Sequence, residues 1–143
     1  MRNILLAYDG SDSAKRALQH LIHIANDASG SLQVHVLNVQ QEPVLYGDYL
    51  TTSMADETNK GFLDKSKRIL STAVTALQMA GMPHQAHATL GNVAEQVNAA
   101  VQRFGCDTVV MGTRGLGNFT GMLLGSVANR VVHEVSVPVL LVK

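Results

Sequence analysis

The chain has 143 residues, enough for one domain with a sizeable hydrophobic core, 1–143, but not for two. Hydrophobic residues make up 46% of it and charged residues 15%, and 11 basic residues balance 11 acidic ones. This balance excludes bulk electrostatic attraction to nucleic acid or to a membrane surface, so a phosphate has to be held by a local site. The single cysteine, Cys106, excludes an internal disulfide and a cysteine-cluster metal site, and we expect a packed, inert thiol.

Strand and helix patterns alternate along the chain, which predicts an α/β fold with a parallel sheet and right-handed crossovers. The first strand is almost wholly apolar, as expected for a central strand covered on both faces. Apolar residues at helical spacing mark the helices. In chain order we predict a strand at 4–8, a helix at 14–28, a strand at 32–39, a loop at 40–54, a helix at 62–77, an edge strand at 84–90, a helix at 93–104, a strand at 108–111, a helix at 127–135 and a strand at 137–142.

Polar residues at the helix starts support two of these bounds. Ser11, Asp12 or Ser13 can cap the first helix, since each offers a side-chain oxygen to the free N–H groups there. Asn92, with Glu95 three residues later, resembles a capping arrangement at the third helix.

The predicted loop at 40–54 is long for a compact domain. Loops of this length are often functional or mobile. Its Tyr46 and Tyr49 either close over a ligand or contact a partner chain, and the sequence leaves both interpretations open.

The segment from Gly112 to Ser126 joins a strand to a helix through a glycine-rich loop. Its spacing is Gly-x2-Gly-x9-Gly-Ser, with glycines at 112, 115 and 125. Glycine lets backbone N–H groups turn toward an anion, and a helix N-terminus adds partial positive charge. The pattern lacks the lysine of a Walker loop and the closely spaced glycines of the dinucleotide fingerprint. It predicts a phosphate-bearing ligand, and the alternative is a flexible surface loop that binds nothing.

Two strand ends are candidates for the ligand crevice. In open parallel sheets, ligands bind beyond the carboxyl ends of strands, where the winding direction reverses. Tyr8 and Asp9 follow the first strand, and Met111 and Gly112 follow the fourth. If these strands are neighbours at the reversal, Asp9 faces the glycine loop across one crevice.

These motifs resemble the universal stress protein family. The glycine loop, the Ala-Tyr-Asp-Gly-Ser run at 7–11 and the closing Val-Pro-Val-Leu-Leu-Val at 137–142 carry the resemblance, which covers essentially the whole chain. The loop matches the ATP-binding branch of that family. The resemblance implies a Rossmann-like open parallel sheet of five strands in the order 3-2-1-4-5, with helices on both faces. It also implies an adenine nucleotide at the switch point and a homodimer paired through the strand at 137–142.

The resemblance also implies the ligand contacts by position. Gly112, Gly115, Gly125 and Ser126 would hold phosphates and ribose, with Arg114 and Val127 beside them. Asp9 would lie near the nucleotide (ATP, ADP or AMP) or its divalent metal, Mg²⁺ or Mn²⁺. Val39 would contact the adenine and Ala7 would line the same wall.

Three of these residues have a structural alternative. The Ser126 hydroxyl can cap the last helix, donate to a phosphate oxygen, or do both. Asp9 offers a hard oxygen ligand suited to Mg²⁺, but it can instead cap the first helix. Arg114 either pairs with a phosphate or extends into solvent.

The six histidines do not predict a metal site. His20 and His23 share a helix face without a third ligand at useful spacing. His84 and His87 lie an odd number of residues apart on a strand and point to opposite sides. The other two, His35 and His133, are isolated in the sequence.

Three hypotheses of function remain. The first is a cytoplasmic nucleotide-binding regulator whose ATP-bound state is recognised by a partner protein, because phosphoryl transfer usually needs a lysine and further acids that the loop lacks. The second is a slow ATPase or nucleotide-dependent transferase using Asp9 and Ser126. The third is an interaction module that associates through its last strand. No signal peptide, membrane insertion or nucleic-acid partner is expected.

Overall fold

Five parallel strands form one sheet, and the chain alternates between strands and helices throughout. The computed structural model describes residues 1–27, 30–41, 52–116, 121 and 124–143. In chain order the elements are β1 (Asn3–Ala7), α1 (Asp12–Asp27), β2 (Gln33–Gln40), α2 (Thr52–Met79), β3 (His84–Leu90), α3 (Val93–Phe104), β4 (Thr108–Gly112), α4 (Ser126–Glu134) and β5 (Val139–Val142).

The strand order is β3-β2-β1-β4-β5, which confirms the expected topology. Ala7 at the end of β1 lies opposite Leu37 of β2 on one side and opposite Met111 of β4 on the other. The chain therefore winds outward in one direction through β2 and β3 and in the other through β4 and β5. This reversal makes the carboxyl ends of β1 and β4 the switch point of the sheet.

Two hydrophobic cores lie on the two faces of the sheet, because successive strand residues point to opposite sides. Ile4 and Leu6 are fully buried in the core that α1 and α2 cover. Leu5 is fully buried in the core that α3 and α4 cover. Covering on both faces explains why β1 is almost wholly apolar, and it confirms the prediction of helices on both faces.

The second helix is the element that the sequence predicted least well. It begins at Thr52 rather than Phe62, and Gln40 belongs to β2, so the predicted loop at 40–54 is shortened from both ends. None of residues 52–61 is buried, so no apolar stripe marks these first turns. Tyr46 and Tyr49 lie outside the described residues.

The remaining bounds agree with the predictions to within two residues, and those of β3 and α3 match them, while the caps of α1 and α3 are as expected. The hydroxyl of Ser11 accepts from the N–H of Ala14 at 3.2 Å and caps α1. Asn92 accepts from the N–H of Glu95 at 3.3 Å and caps α3. Across the described ranges, no helix has the length and apolar content needed to span a membrane.

Candidate functional site

A cavity of about 800 Å³ opens beyond the carboxyl ends of β1, β2 and β4. This is the switch point, where ligands bind in open α/β sheets, and the volume lies within the range of small-molecule sites. All nine residues singled out from the sequence line it. They are Ala7, Asp9, Val39, Gly112, Arg114, Gly115, Gly125, Ser126 and Val127.

One wall of the cavity is apolar. Leu37 and Met111 contribute to it from the strands, and Val93 and Val97 contribute from α3. These side chains belong to, or pack against, the core between the sheet and α3–α4. An apolar wall beside a few polar groups suits a ligand with a flat, weakly polar ring and a polar tail.

Gly112 is the last residue of β4 rather than part of the loop, and its lack of a side chain has a clear reason. A Cβ at this position would overlap Ser13 Oγ and would lie 2.8 Å from the backbone nitrogen of Ala14. The start of α1 therefore packs directly on the backbone of β4. Gly112 permits this contact, whatever it does for a ligand.

Two serine hydroxyls at the start of α1, one just before the helix and one in its first turn, hold the beginning of the glycine loop. Ser11 Oγ donates to the carbonyl of Arg114 at 3.3 Å, and Ser13 Oγ donates to the same carbonyl. The N–H of Gly125 donates to the carbonyl of Thr113 at 2.8 Å. Both ends of the loop are thus fixed by hydrogen bonds, although residues 117–120 and 122–123 lie outside the described residues. The side chain of Arg114 is exposed at the cavity.

Asp9 faces the glycine loop across the crevice, as expected if β1 and β4 are neighbours. Its Oδ1 accepts from the N–H of Ser11 at 2.9 Å, just before α1. Its Oδ2 lies 3.0 Å from the place that a Cβ on Gly115 would occupy. The carboxylate therefore supports the turn into α1 with one oxygen and directs the other toward the cavity.

The structure gives little support to the expectation that Asp9 binds a divalent metal ion. No three His, Cys, Asp or Glu side chains within the described ranges come together as a metal site. Asp9 is the one carboxylate among the described residues that line the cavity. Mg²⁺ commonly uses one or two carboxylates together with substrate phosphates, so Asp9 fits such an ion only when a phosphate ligand is bound.

The N-terminus of α4 opens into the cavity. Gly125, not Ser126, occupies the N-cap position, and among the described residues no side chain caps this helix end. The alternative role of Ser126 as the cap is therefore wrong. The first N–H groups of an α-helix have no partner inside the helix and carry partial positive charge. Together with the exposed Ser126 hydroxyl, they are suited to hold an anion.

The sequence analysis missed a buried polar cluster beneath the cavity. Asn38 is 1% exposed, and its Nδ2 donates to the carbonyl of Tyr8 at 2.7 Å. Its Oδ1 accepts from Ser66 Oγ at 2.6 Å and from Gln40 Nε2 at 2.8 Å. The Tyr8 hydroxyl lies 2.9 Å from Thr72 Oγ1 of α2. This cluster fixes the exit of β1 just before Asp9.

Lys65 of α2 also lines the cavity. It was not predicted from the sequence, because a lysine was expected only within a phosphate-binding loop. The available signal was its neighbour, Ser66. This serine lies one turn before Leu70 on the apolar stripe of α2, where a polar residue indicates a buried hydrogen bond.

His35 is not isolated in the fold. Its Nδ1 lies 3.1 Å from His87 Nε2, and both imidazole rings stack on Phe104, at 4.7 and 4.1 Å between centroids. Parallel pairing of β2 with β3 brings the two residues together, which their distance in the sequence concealed. Burial lowers the pKa of both histidines, and for His87 the charges of His35 and Arg103 lower it further.

Cys106 is buried, and burial raises its pKa to about 11 with a smaller contribution from Asp107. A thiol with this pKa is almost wholly protonated at neutral pH and reacts slowly. The prediction of a packed thiol is confirmed, and the raised pKa favours the expected inertness.

The fold and the cavity define a doubly wound α/β protein with a cavity at its switch point. The model of the universal stress protein family matches residues 1–143, so the chain belongs to this family. A relative from Thermus aquaticus, the universal stress protein in the QAH/OAS sulfhydrylase 3′ region, is 37% identical over 147 residues, 99% of this chain and 98% of that protein. The solved structure of hypothetical protein MJ0577 matches with a TM-score of 0.86 at 25% identity, covering 99% of this chain and 95% of that one.

Three solved members of the family hold adenine nucleotides. One from Arabidopsis thaliana has AMP bound and matches with a TM-score of 0.73 at 20% identity over 100% of this chain and 92% of that one. One from Archaeoglobus fulgidus is in complex with dAMP (TM-score 0.64, 22% identity, 100% and 98% covered). Another is in complex with cAMP (TM-score 0.68, 22% identity, 99% and 97% covered). At these identities the likeness establishes the shared fold.

Proposed function

We propose that this universal stress protein binds an adenine nucleotide in the cavity at its switch point and acts as a nucleotide-dependent regulatory protein. The observation that carries the proposal is that all nine residues implied by the resemblance as ligand contacts line one cavity of about 800 Å³. Family members in complex with AMP, cAMP and dAMP support the ligand class. ATP, ADP and AMP remain the candidate ligands.

The chemistry of the cavity suits the two ends of a nucleotide. The base would lie against the apolar wall near Ala7 and Val39. The phosphates would lie at the glycine loop, where the N–H groups at the start of α4 and the Ser126 hydroxyl are available. Arg114 and Val127 would border the phosphates.

We propose Asp9 as the protein ligand of a Mg²⁺ or Mn²⁺ ion that accompanies the nucleotide. Its Oδ2 is directed toward the loop at which the phosphates would bind. The ion would supply charge neutralisation between the carboxylate and the phosphates. Binding of ATP should therefore weaken when EDTA replaces the metal, and Asp9→Asn should remove most of that difference.

The side chains that line the cavity favour a regulatory role over a catalytic one. Efficient phosphoryl transfer requires a base or water-positioning residue in addition to metal and phosphate ligands. Among the described residues that line the cavity, Asp9 is the sole carboxylate. The alternative is a slow ATPase or transferase using Asp9 and Ser126. Phosphate release that is abolished by Asp9→Ala would favour this alternative, and release unchanged by the substitution would indicate a contaminant.

We also propose a homodimer paired through 137–142, which a partner protein would recognise. In this chain β5 is an edge strand, and its four residues are only half-buried. An unpaired apolar edge invites association with a second strand. Sedimentation should give a dimer at micromolar concentration, and a stable monomer would refute the pairing.

The nucleotide itself is tested by two measurements on the purified protein. Mass spectrometry of small molecules released on denaturation should find an adenine nucleotide. Calorimetry with ATP, ADP and AMP should then detect binding. Ser126→Ala should weaken this binding by about tenfold, because it removes one hydrogen bond to a charged group. Ser71→Ala on α2, outside the cavity lining, is the matched control. Absence of binding by all three nucleotides, with and without Mg²⁺, refutes the proposal.

A further inference from the structure

The charged side chains that line the cavity include more cations than anions. Among the described residues that line it, three are charged: Asp9, Lys65 and Arg114. Arg114 follows β4 on one side, and Lys65 lies on α2, which packs against β2 and β3 on the other. Asp9 lies between them at the exit of β1. Two cations therefore border the cavity from opposite sides, with one carboxylate in the middle.

Lys65 decides whether these three side chains carry a net positive charge. The carboxylate of Asp9 offsets one of the two cations. With Lys65 present the three side chains leave one net positive charge, and without it they leave none. Fields inside a cleft are stronger than on an open surface because the low-dielectric walls focus them. A single lysine at the rim can therefore change how strongly the cavity attracts an anion.

The backbone that carries Lys65 is firmly positioned. The next residue, Ser66, is 0% exposed, and its hydroxyl donates to Asn38 Oδ1 at 2.6 Å. Asn38 in turn donates to the carbonyl of Tyr8, the residue before Asp9. The turn of α2 that presents Lys65 is thus tied to the same strand exit that presents Asp9. This connection keeps the lysine at the rim of the cavity.

The ammonium group of Lys65 is available to a ligand. The side chain is exposed, and it forms no ion pair with another residue of the described part of the chain. Lysine carries its charge on a flexible four-carbon stem, so the ammonium can follow an anion over several ångströms. An exposed, positioned and uncommitted cation beside a cavity is suited to contact the anionic part of its ligand.

We propose that Lys65 is a specificity-determining residue of this site, which contacts the anionic part of the ligand from the side opposite Arg114 and selects phosphorylated nucleosides over free nucleosides. The inference rests on the proposed binding of an adenine nucleotide. The inference goes beyond the proposed function because a residue of α2, which lies outside the glycine motif, would discriminate between ligands of different charge.

The test is calorimetric titration of the full chain and of three variants with ATP, AMP and adenosine. Lys65→Ala should weaken ATP binding by about two- to fivefold, the range of one exposed charge pair, and should weaken AMP binding by less. Adenosine binding should not change. Lys65→Arg should keep most of the ATP affinity. Lys67→Ala, an exposed lysine on the same helix that does not line the cavity, should behave as the wild type.

Salt dependence and chemical labelling provide independent readouts. The difference between Lys65→Ala and the wild type should shrink at high salt, because screening reduces the charge interaction. Acetylation by an N-hydroxysuccinimide ester, followed by peptide mass spectrometry, should show that ATP protects Lys65 but not Lys67.

The outcomes separate this inference from the proposed function. If the wild type binds ATP but Lys65→Ala leaves its affinity unchanged, or weakens ATP and adenosine equally, the role of Lys65 is refuted and nucleotide binding stands. If the wild type binds none of the three ligands, the proposed function fails and the inference fails with it. Equal melting temperatures of the variants by circular dichroism would establish that folding is unaffected.

Discussion

Replacing Gly112 by alanine tests how closely β4 packs on the start of α1. The added Cβ would overlap Ser13 Oγ and would lie 2.8 Å from both the carbonyl carbon of Ser13 and the nitrogen of Ala14. Two of these three atoms belong to the backbone, so a rotamer change cannot relieve the overlap. The helix and the strand have to separate. Overpacking of this kind costs about 1–3 kcal/mol of stability.

This cost translates into a measurable fall in melting temperature. A chain of 143 residues loses about 4 °C per kcal/mol, so Gly112→Ala should melt about 4–12 °C below the wild type. The chain has no tryptophan, so circular dichroism is the suitable signal for thermal and urea unfolding. Because Gly112 leads directly into the loop that forms the cavity, ATP binding should weaken as well.

Gly61→Ala is the matched control, because it makes the same chemical change within α2. A Cβ at Gly61 would meet no atom within 4 Å, and alanine is about 1 kcal/mol better than glycine in a helix interior. This variant should be more stable than the wild type, opposite in sign to Gly112→Ala. Adding Ser13→Ala to Gly112→Ala should recover only part of the loss, because the backbone atoms remain. A Gly112→Ala protein as stable as the wild type would refute the close approach of β4 and α1.

Three further predictions concern buried groups. Asn38→Ala should lower the free energy of unfolding by about 1–3 kcal/mol in urea titrations, because it removes the donor to the carbonyl of Tyr8 and leaves the Ser66 hydroxyl only the longer contact, 3.4 Å, to the backbone carbonyl of residue 38. Stability equal to the wild type would contradict the hydrogen bonds described. The pKa values of His35 and His87 are lowered in the folded protein, so the unfolded chain binds more protons at mildly acidic pH. The free energy of unfolding should therefore be highest above the unfolded pKa of about 6.5 and should fall as the pH drops through it. Replacement of both histidines by phenylalanine should flatten this dependence in unfolding curves collected between neutral and mildly acidic pH, and an equally steep curve would refute it. Cys106, with a pKa of about 11, should react with iodoacetamide only after denaturation, and rapid labelling of the folded protein would contradict its burial.

The fold was predictable because each local pattern agreed with the global arrangement. The apolar run at 4–8, the cap at Asn92 and the edge strand at 84–90 all correspond to elements of the structure, with bounds shifted by at most one or two residues. Strand pairing itself is not written in local periodicity. The order of the five strands came from the resemblance to the family, and the observed sheet confirms it.

The elements that were missed share a physical cause. The first turns of α2 contact no core, so no hydrophobic period marked them. Contact between His35 and His87 depends on the register of two strands about 50 residues apart in the chain. Lys65 lies on α2, and its place at the cavity depends on how this helix packs on the sheet, where Ser66 donates to Asn38. Each of these features depends on where its segment lies in the tertiary structure, which a pattern along one segment does not contain.

The glycines of the loop also show why a motif and a binding site are not the same thing. Gly112 makes room for α1, Gly115 makes room for the carboxylate of Asp9, and Gly125 packs against the carbonyl of Thr113. Each therefore has a reason within the protein itself, before any ligand is considered. The motif builds a loop whose ends are fixed and which leaves the N–H groups of α4 facing a cavity. In the proposed function, selection among ligands falls to charged side chains that line this cavity. Variants at Asp9 and Lys65 therefore test it more directly than variants at the glycines.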